Sequence, residues 1–403
     1  MKKYIPRHKY IEKVKPFMGK ELIKVFTGQR RTGKSYLLYQ VMDFIKSEDK
    51  DANIIYLNKE FYKFDHIKDY HSLINYVNGE KIKNKATYLF IDEVQEIVEF
   101  EKALRSFLYE GDIDIYCSGS NARILSGELA TLLAGRYIEI DVHALSYSEF
   151  LDFNKLDNSD KSFERYFKFG GLPYLINLPE DEDVIYDYLR NIYAAILYKD
   201  IIMRQNVRNP YILDNLVKFL AEHIGSIISA KRISDYLKSQ KLNVTPNILL
   251  NYLSYLSDAY FVKRVKRSGI TGRRIFEIGD KFYFEDLGLR QSICGYQKSD
   301  IGKILENLVF NYLLQQGYSI TIGTDRNREI DFVCKRKGER LYVQVAYIIS
   351  DEKTHQREFG NLLSIKDNHP KYVVTMDPFT GNTYNGIKHI HVRDFIGGDL
   401  NNP

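Results

Sequence analysis

LIKVFTGQRRTGKSYLLYQVMDF, residues 22–44, opens with an apolar run, turns through Gly28–Ser35 and continues into an amphipathic stretch beginning near Lys34. The turn GQRRTGKS fits the pattern GxxxxGK(S/T) at every fixed position. It follows a predicted strand and opens a predicted helix, the context this motif requires. Its chemistry is specific: loop and helix-terminal N–H groups surround a β-phosphate, and glycine at both bends lets the backbone come close. Lys34 can bridge the β- and γ-phosphates of ATP, and the Ser35 hydroxyl can hold Mg2+. Gly28, Arg31, Thr32, Gly33, Lys34, Ser35 and Tyr36 are the expected nucleotide-binding residues. Arg30 and Arg31 are placed to meet phosphate, or are simply solvated. A chance glycine-rich turn is the bland account, expected at average composition in on the order of one chain in a hundred.

Farther along, YLFIDEVQ ends an apolar run in Asp92 and Glu93. A carboxylate at the C-terminal end of a strand beside a phosphate loop stands where Mg2+ sits, so Asp92 and Ser35 are the expected metal ligands. Glu93 is the expected catalytic group, orienting or deprotonating the attacking water. An acidic pair that only caps the next helix would read the same way. A fourth run ends in CSGSN (117–121), where Ser118 is the first choice to report on the γ-phosphate, ahead of Ser120 and Asn121; an ordinary turn fits equally. Arg136, after the apolar LATLLAG, is a candidate catalytic cation toward a nucleotide in its own or a neighbouring subunit, with a solvated charge as the alternative.

Five runs in the first 145 residues, LIKVFT, NIIYLN, TYLFID, IDIYCS and RYIEID, alternate with helix-like segments starting near Lys34, Ile67, Glu96 and Asn121. That rhythm predicts an α/β domain with a parallel sheet covered on both faces. The expected organisation is a P-loop ATPase domain (1–145), a helical lid or linker (146–208), a domain of three helices and a hairpin (209–295), and a small α/β domain (296–403). Gly-Gly-Leu-Pro at 170–173 breaks two helices. Thr245 followed by Pro246 marks a helix start.

Composition excludes more than it selects. The 403 residues carry a net charge of +5, 44% hydrophobic and 28% charged residues, ordinary for a globular chain. No run reaches the ~18 apolar residues of a membrane span. MKKYIPRHKYIEKVK lacks a signal-peptide core, and three scattered cysteines fit reduced thiols. A cytoplasmic location is expected.

GQRRTGKS, YLFIDEVQ, CSGSN, LLAGRYIEIDVHALSYSEFL and GGLPYL follow one another as in a bacterial and archaeal family of AAA-type ATPases, which this chain resembles along nearly its whole length. The resemblance implies a P-loop core of the additional-catalytic-Glu class, with the nucleotide between strands one and three. It also implies a C-terminal domain of unknown function, marked here by YFEDLGLR (283–290), LENLVFNYLLQQGY (305–318) and EIDFV (329–333). The last hundred residues further resemble the PD-(D/E)XK nuclease fold. Glu306, Asp331 and Gln344 match its acidic and Glu/Gln positions, but Ala346 stands where the lysine belongs. A methyl group cannot support an attacking hydroxide, so a silent copy of that fold is expected.

Residues 209–295 have the order of a winged helix, and the hairpin carries Lys263, Arg264, Lys266, Arg267, Arg273 and Arg274. Such a cluster would meet the phosphates of double-stranded DNA. The third helix, PNILLNYLSYLSDA, lacks the Lys or Arg of base readout, so a protein partner or a solvated surface fits as well. The function expected is Mg2+-dependent ATP hydrolysis driving a conformational switch. A nucleotide-gated binding module with little turnover, or an ATP-dependent nuclease, are the alternatives. An oligomer is compatible with the sequence.

Overall fold

The five apolar runs of the N-terminal part form β1 (Ile23–Thr27), β2 (Asn53–Asn58), β3 (Thr87–Asp92), β4 (Ile113–Gly119) and β5 (Tyr137–Asp141). They build one sheet in the order β2-β3-β4-β1-β5, with every neighbouring pair parallel. The computed structural model describes residues 4–125, 133, 135–269, 279–325, 328–378, 381 and 383–398. It divides into Met1–His143 with Asp258–Tyr260, and Ala144–Ser257 with Phe261–Pro403.

In the first unit the period-two alternation of the strands sorts side chains into two layers. Val25, Ile55, Leu57, Leu89, Ile91 and Ile115 pack with Leu73 and Val77 of helix Tyr70–Glu80 and with Leu104 and Phe107 of helix Phe100–Glu110. Phe26, Phe90, Tyr116 and Ile140 face the other way, onto Leu37, Leu38, Val41 and Ile45 of helix Lys34–Glu48 and Tyr10 and Val14 of helix His8–Val14. Each fully buried side chain of this kind contributes about 1.5–3 kcal/mol, so these layers hold the strand ends in register. Lys24 puts a charge inside β1. It is neutralised by Asp114 of β4 and lies 4.5 Å from the centre of the Tyr116 ring.

The second unit starts with helices Tyr147–Asn154, Asp160–Phe169 and Glu182–Ala195, the last running into a π-helix, Ile196–Met203. Helices Pro210–Glu222 and Ala230–Ser239 and a helix beginning at Pro246 lead to β6 (Val262–Gly269) and β7 (Asp280–Phe284). Helix Ile301–Gln315 precedes β8 (Ser319–Asp325), β9 (Arg328–Arg336) and β10 (Glu339–Val345). Helix Glu352–Leu363 leads to β11 (Lys371–Thr375), β12 (Thr383–Tyr384) and β13 (Ile387–His391). β6 and β7 pair as the predicted hairpin, but Arg267–Gly269 of β6 also pair in parallel with β8. One eight-stranded sheet results, in the order β12-β13-β11-β10-β9-β8-β6-β7. The boundaries expected at 209 and 296 both fall inside this unit.

Two sequence landmarks prove to be one joint. Gly170 ends its helix at φ 76°, and a Cβ there would stand 2.4 Å from the Asp286 carboxylate. Asp286 accepts from Gly171 N (2.7 Å) and Leu289 N (3.0 Å), and burial pushes its carboxyl up to about 6. Arg290, fully buried, donates to Ala221 O (2.8 Å) and Asp300 Oδ2 (2.6 Å). GGLP and YFEDLGLR are therefore structural here: a glycine pair fitted to a buried carboxylate, and an arginine strut.

Candidate functional site

Parallel order brings the ends of β1, β3 and β4 to one edge. Thr27 is level with Gly119, and Ile91 with Cys117. The loop after β1 turns at Gly28 (φ 143°), Arg31 (φ 71°) and Gly33 (φ 98°). A Cβ on Gly28 would meet Val142 O at 2.2 Å, so only glycine fits that bend. Thr32 Oγ1 donates to Gln29 O (2.9 Å), tying the loop across itself. From behind, the buried Arg7 donates to Thr32 O (3.2 Å) and His143 O (3.0 Å). Lys34, 4% exposed, donates to Gly28 O and Gln29 O, both at 2.9 Å.

Asp92 is 1% exposed at the end of β3. Ser118 donates to its Oδ1, Asn58 to its Oδ2 at 2.8 Å, and Tyr56 OH lies 3.3 Å from Oδ2. Ser35, in the first turn of the loop helix, lies near enough to the Asp92 carboxylate to help hold its pKa down. The two expected Mg2+ ligands, far apart in sequence, are brought near one another. Burial raises the Asp92 pKa, Ser118 and Ser35 oppose this, the Glu93 charge adds to it, and Lys34 opposes it.

Glu93 takes the left-handed conformation (φ 57°), uncommon for a residue with a side chain and frequent at functional sites. Its N–H donates to Ser118 Oγ (3.2 Å), and its carboxylate accepts from Gln95 and from Ser120 Oγ (3.1 Å). Burial would raise its pKa, but Lys34, Gln95, Arg30 and Ser120 outweigh that and hold it below the ordinary glutamate range. Ser118 thus binds both members of the acidic pair. Ser120 touches Glu93, while Asn121 Oδ1 accepts from Arg123 N (2.8 Å) and caps the following turn.

The remaining candidates are less central. Arg30 pairs with Glu60 (3.3 Å). Arg31 is exposed at the loop apex, and Tyr36 is 45% exposed with its ring 6.0 Å from that of Tyr39. Arg136 is not brought to the loop. Its carbonyl accepts from Ile23 N (3.0 Å) at the start of β1, the opposite edge of the sheet, about 13 Å from Thr27 at ~3.3 Å per residue. Most of the predicted helix before it lies outside the described residues.

The sequence reading passed over Asn58 and Tyr56. A signal existed: NIIYLN ends in a polar residue on the strand beside β3, and Asn58 pairs in register with Asp92. Removing Asn58 leaves a buried carboxylate short of a donor, at a cost of about 1–3 kcal/mol, and pushes Asp92 further up. Asn58→Ala is expected to raise the Mg2+ concentration needed for half-maximal turnover several-fold at pH 7. The deficit should be wider at pH 6 and narrower at pH 8, because the metal needs the ionised carboxylate; a Mg2+ titration at three pH values checks it.

In the second unit Glu306 of helix Ile301–Gln315 and Asp331 of β9 are brought together, and Asp331 N donates to Gln344 Oε1 (3.3 Å) of β10. Ala346 is buried just after β10. Beside Glu306 and Asp331 stands Lys281 of β7, unforeseen because it comes from the hairpin. Of the hairpin cations, Arg264 pairs with Asp280 (2.6 Å) and Lys263 with Glu285 (3.8 Å), while Lys266 is exposed. Arg273 and Arg274 lie outside the described residues. Among the described residues, no helix is long and apolar enough to cross a membrane.

Residues 20–151 match the AAA domain family, and residues 160–300 match a domain of unknown function (DUF8612). The second match includes YFEDLGLR and stops short of the two later landmarks. A Haemophilus influenzae protein named only as uncharacterized is 35% identical over 98% of this chain and 99% of its own length. An uncharacterized Methanocaldococcus jannaschii protein is 30% identical over 86% of this chain and 79% of its own. Among solved structures, a Walker-type ATPase of Pyrococcus abyssi is similar at 15% identity and TM-score 0.49, covering 71% of this chain and 93% of that one. The Aeropyrum pernix ORC1 protein, solved in complex with DNA, is similar at 11% identity and TM-score 0.33, covering 72% and 92%. By end-to-end similarity this protein belongs to the family of the Haemophilus and Methanocaldococcus proteins, and its N-terminal unit is an AAA-type P-loop domain.

Proposed function

We propose that the first unit binds Mg·ATP and hydrolyses it, and that turnover switches a conformation read by a DNA or protein partner. The observation that carries this is the acidic pair Asp92 and Glu93, joined by Ser118, lying within the field of Lys34 of a glycine-bent loop. The residues fit the nucleotide. The loop opens a 15-residue helix whose N-terminus favours anions. The Gln29 side-chain amide is buried with neither polar atom bonded, and a phosphate oxygen could accept from its Nε2, though not serve its Oε1. Ser35 and Asp92 would hold Mg2+, which when bound offsets phosphate charge and polarises the γ-phosphoryl group.

Lys34 must leave the carbonyls of Gly28 and Gln29 to reach phosphate, so the loop is held ready by its own cation. Glu93, kept ionised, is a weak base. Its work is to orient water for a transfer that demands little proton removal early on. Arg136, from its edge of the sheet, serves only if a neighbouring copy presents a nucleotide to it.

The finer reading of the second unit as a winged helix joined to a silent PD-(D/E)XK fold has support in the helix-hairpin order and in the Glu306–Asp331 pairing. The pairing of Arg264 and Lys263 with carboxylates weakens the case for DNA and keeps a protein partner in view. Phosphate release from Mg·ATP, with and without double-stranded DNA, separates the readings. We expect turnover by the chain alone; a several-fold rise with DNA would make DNA the partner. Equal rates would remove DNA as the partner. No release in either case would favour the nucleotide-gated binding module.

A further inference from the structure

Lys281 is 3% exposed, on the strand at one end of the eight-stranded sheet. Its ammonium lies 2.8 Å from Glu306, 2.9 Å from Glu329 and 3.4 Å from Asp331. The last two belong to β9, which β6 and β8 separate from β7. β6 spends Val262–Lys266 against β7 and Arg267–Gly269 against β8, and this change of partner lets the far strand face β9. Tyr283, two residues on, donates to Glu306 Oε1 (2.5 Å) and stacks on Phe310 with ring centres 4.4 Å apart, fixing β7 over the helix.

The charges do not balance. Glu306, Glu329 and Asp331 surround one ammonium, and Glu358 adds a fourth carboxylate, which feels the charge of Asp331. Arg357 binds one Glu358 oxygen (2.6 Å). The other, Oε2 of a residue 2% exposed, has no hydrogen-bond partner. Burial, opposed by Lys281 and aided by Asp331, pushes Glu306 up to about 7, and burial raises Asp331 and Glu358 as well. More carboxylates than cations meet here, an arrangement that a divalent cation would also neutralise. Glu329 and Glu306 side chains are 32% and 15% exposed, so an ion has a way in.

Yet the oxygens stand at ammonium distances. Mg2+ needs oxygen at about 2.0–2.1 Å and Ca2+ at about 2.3–2.6 Å. Among the described residues, no group of three or more His, Cys, Asp or Glu side chains is set to hold a metal. We propose that Lys281 is the resident cation of this acid cluster, occupying the seat of a divalent metal, so that the cluster takes a hard divalent ion only when Lys281 is removed. The cluster is closed by the chain's own ammonium.

Mn2+ binding to the full chain, without nucleotide, tests this in four forms: native, Asp331→Asn, Lys281→Met and Lys281→Met with Asp331→Asn. Any Mn2+ on the phosphate loop is common to all and cancels. The expected result is equal binding by the native chain and Asp331→Asn. Lys281→Met should melt at a lower temperature, bind one further Mn2+ per chain and recover several degrees on doing so; the added Asp331→Asn should abolish that gain. Asp331-dependent Mn2+ binding by the native chain overturns the proposal, as does a folded Lys281→Met that binds no more than native. Should Lys281→Met fail to fold even with Mn2+, the native and Asp331→Asn pair decides by the same criterion.

Discussion

Glu93→Gln is expected to release phosphate on the order of 10²–10⁴-fold more slowly than the native chain, while holding ATP at least as tightly. The substitution keeps shape and the backbone bond from Glu93 N to Ser118 Oγ, so the loop and Asp92 stay in place. What goes is the ionised carboxylate that Lys34, Gln95, Arg30 and Ser120 sustain. A neutral amide cannot orient water as a charged acceptor does, nor take its proton. Affinity should not fall, because Lys34 loses a competing negative neighbour and becomes more available to phosphate. Single-turnover phosphate release and a fluorescent-nucleotide titration read the two effects separately. Parallel losses of rate and affinity would place Glu93 in the architecture of the site instead of its chemistry.

Lys34→Ala should weaken ATP binding by about 2–5 kcal/mol, the cost of truncating one partner of a buried charge pair, which is on the order of thirty-fold to several thousand-fold in Kd. The lysine is 4% exposed and bonds across the loop to Gly28 O and Gln29 O. Gly28 O would lose this donor while Gln29 O keeps Thr32 Oγ1, so a modest fall in melting temperature should accompany the loss. Lys34→Arg is a useful control: it keeps the charge but is too broad for a turn whose Gly28 already lies against Val142 O. It should bind nearly as poorly. Competition titrations with ATP and ADP check both.

The phosphate loop was legible because its needs are local. Gly28, Gly33, Lys34 and Ser35 are required within eight residues, and each is required by backbone geometry or charge. The five strands were legible from alternation and apolar runs, since a sheet buried on both faces leaves little freedom in what its strands contain. Asp92 and Glu93 could be placed because strand ends in a parallel sheet share an edge. Contacts made by the sheet's lateral order were harder. Asn58 reaches Asp92 only because β2 lies beside β3, and Arg136 sits at the far edge only because β5 runs parallel to β1. Lys281 was beyond reach for a related reason: its partners lie on a helix and on a strand that a change of pairing along β6 brings opposite it. The absence of lysine at Ala346 pointed to a missing charge; the structure brings one from elsewhere, Lys281, beside Glu306 and Asp331.

A structure of the chain with Mg2+ and a non-hydrolysable ATP analogue tests the central claim most directly. The account predicts the triphosphate inside Gly28–Ser35, Lys34 released from the carbonyls of Gly28 and Gln29 and turned onto phosphate, Ser35 and Asp92 beside the metal, and Glu93 facing the γ-phosphate. An analogue bound elsewhere, or one bound while Lys34 still caps those two carbonyls, would contradict it.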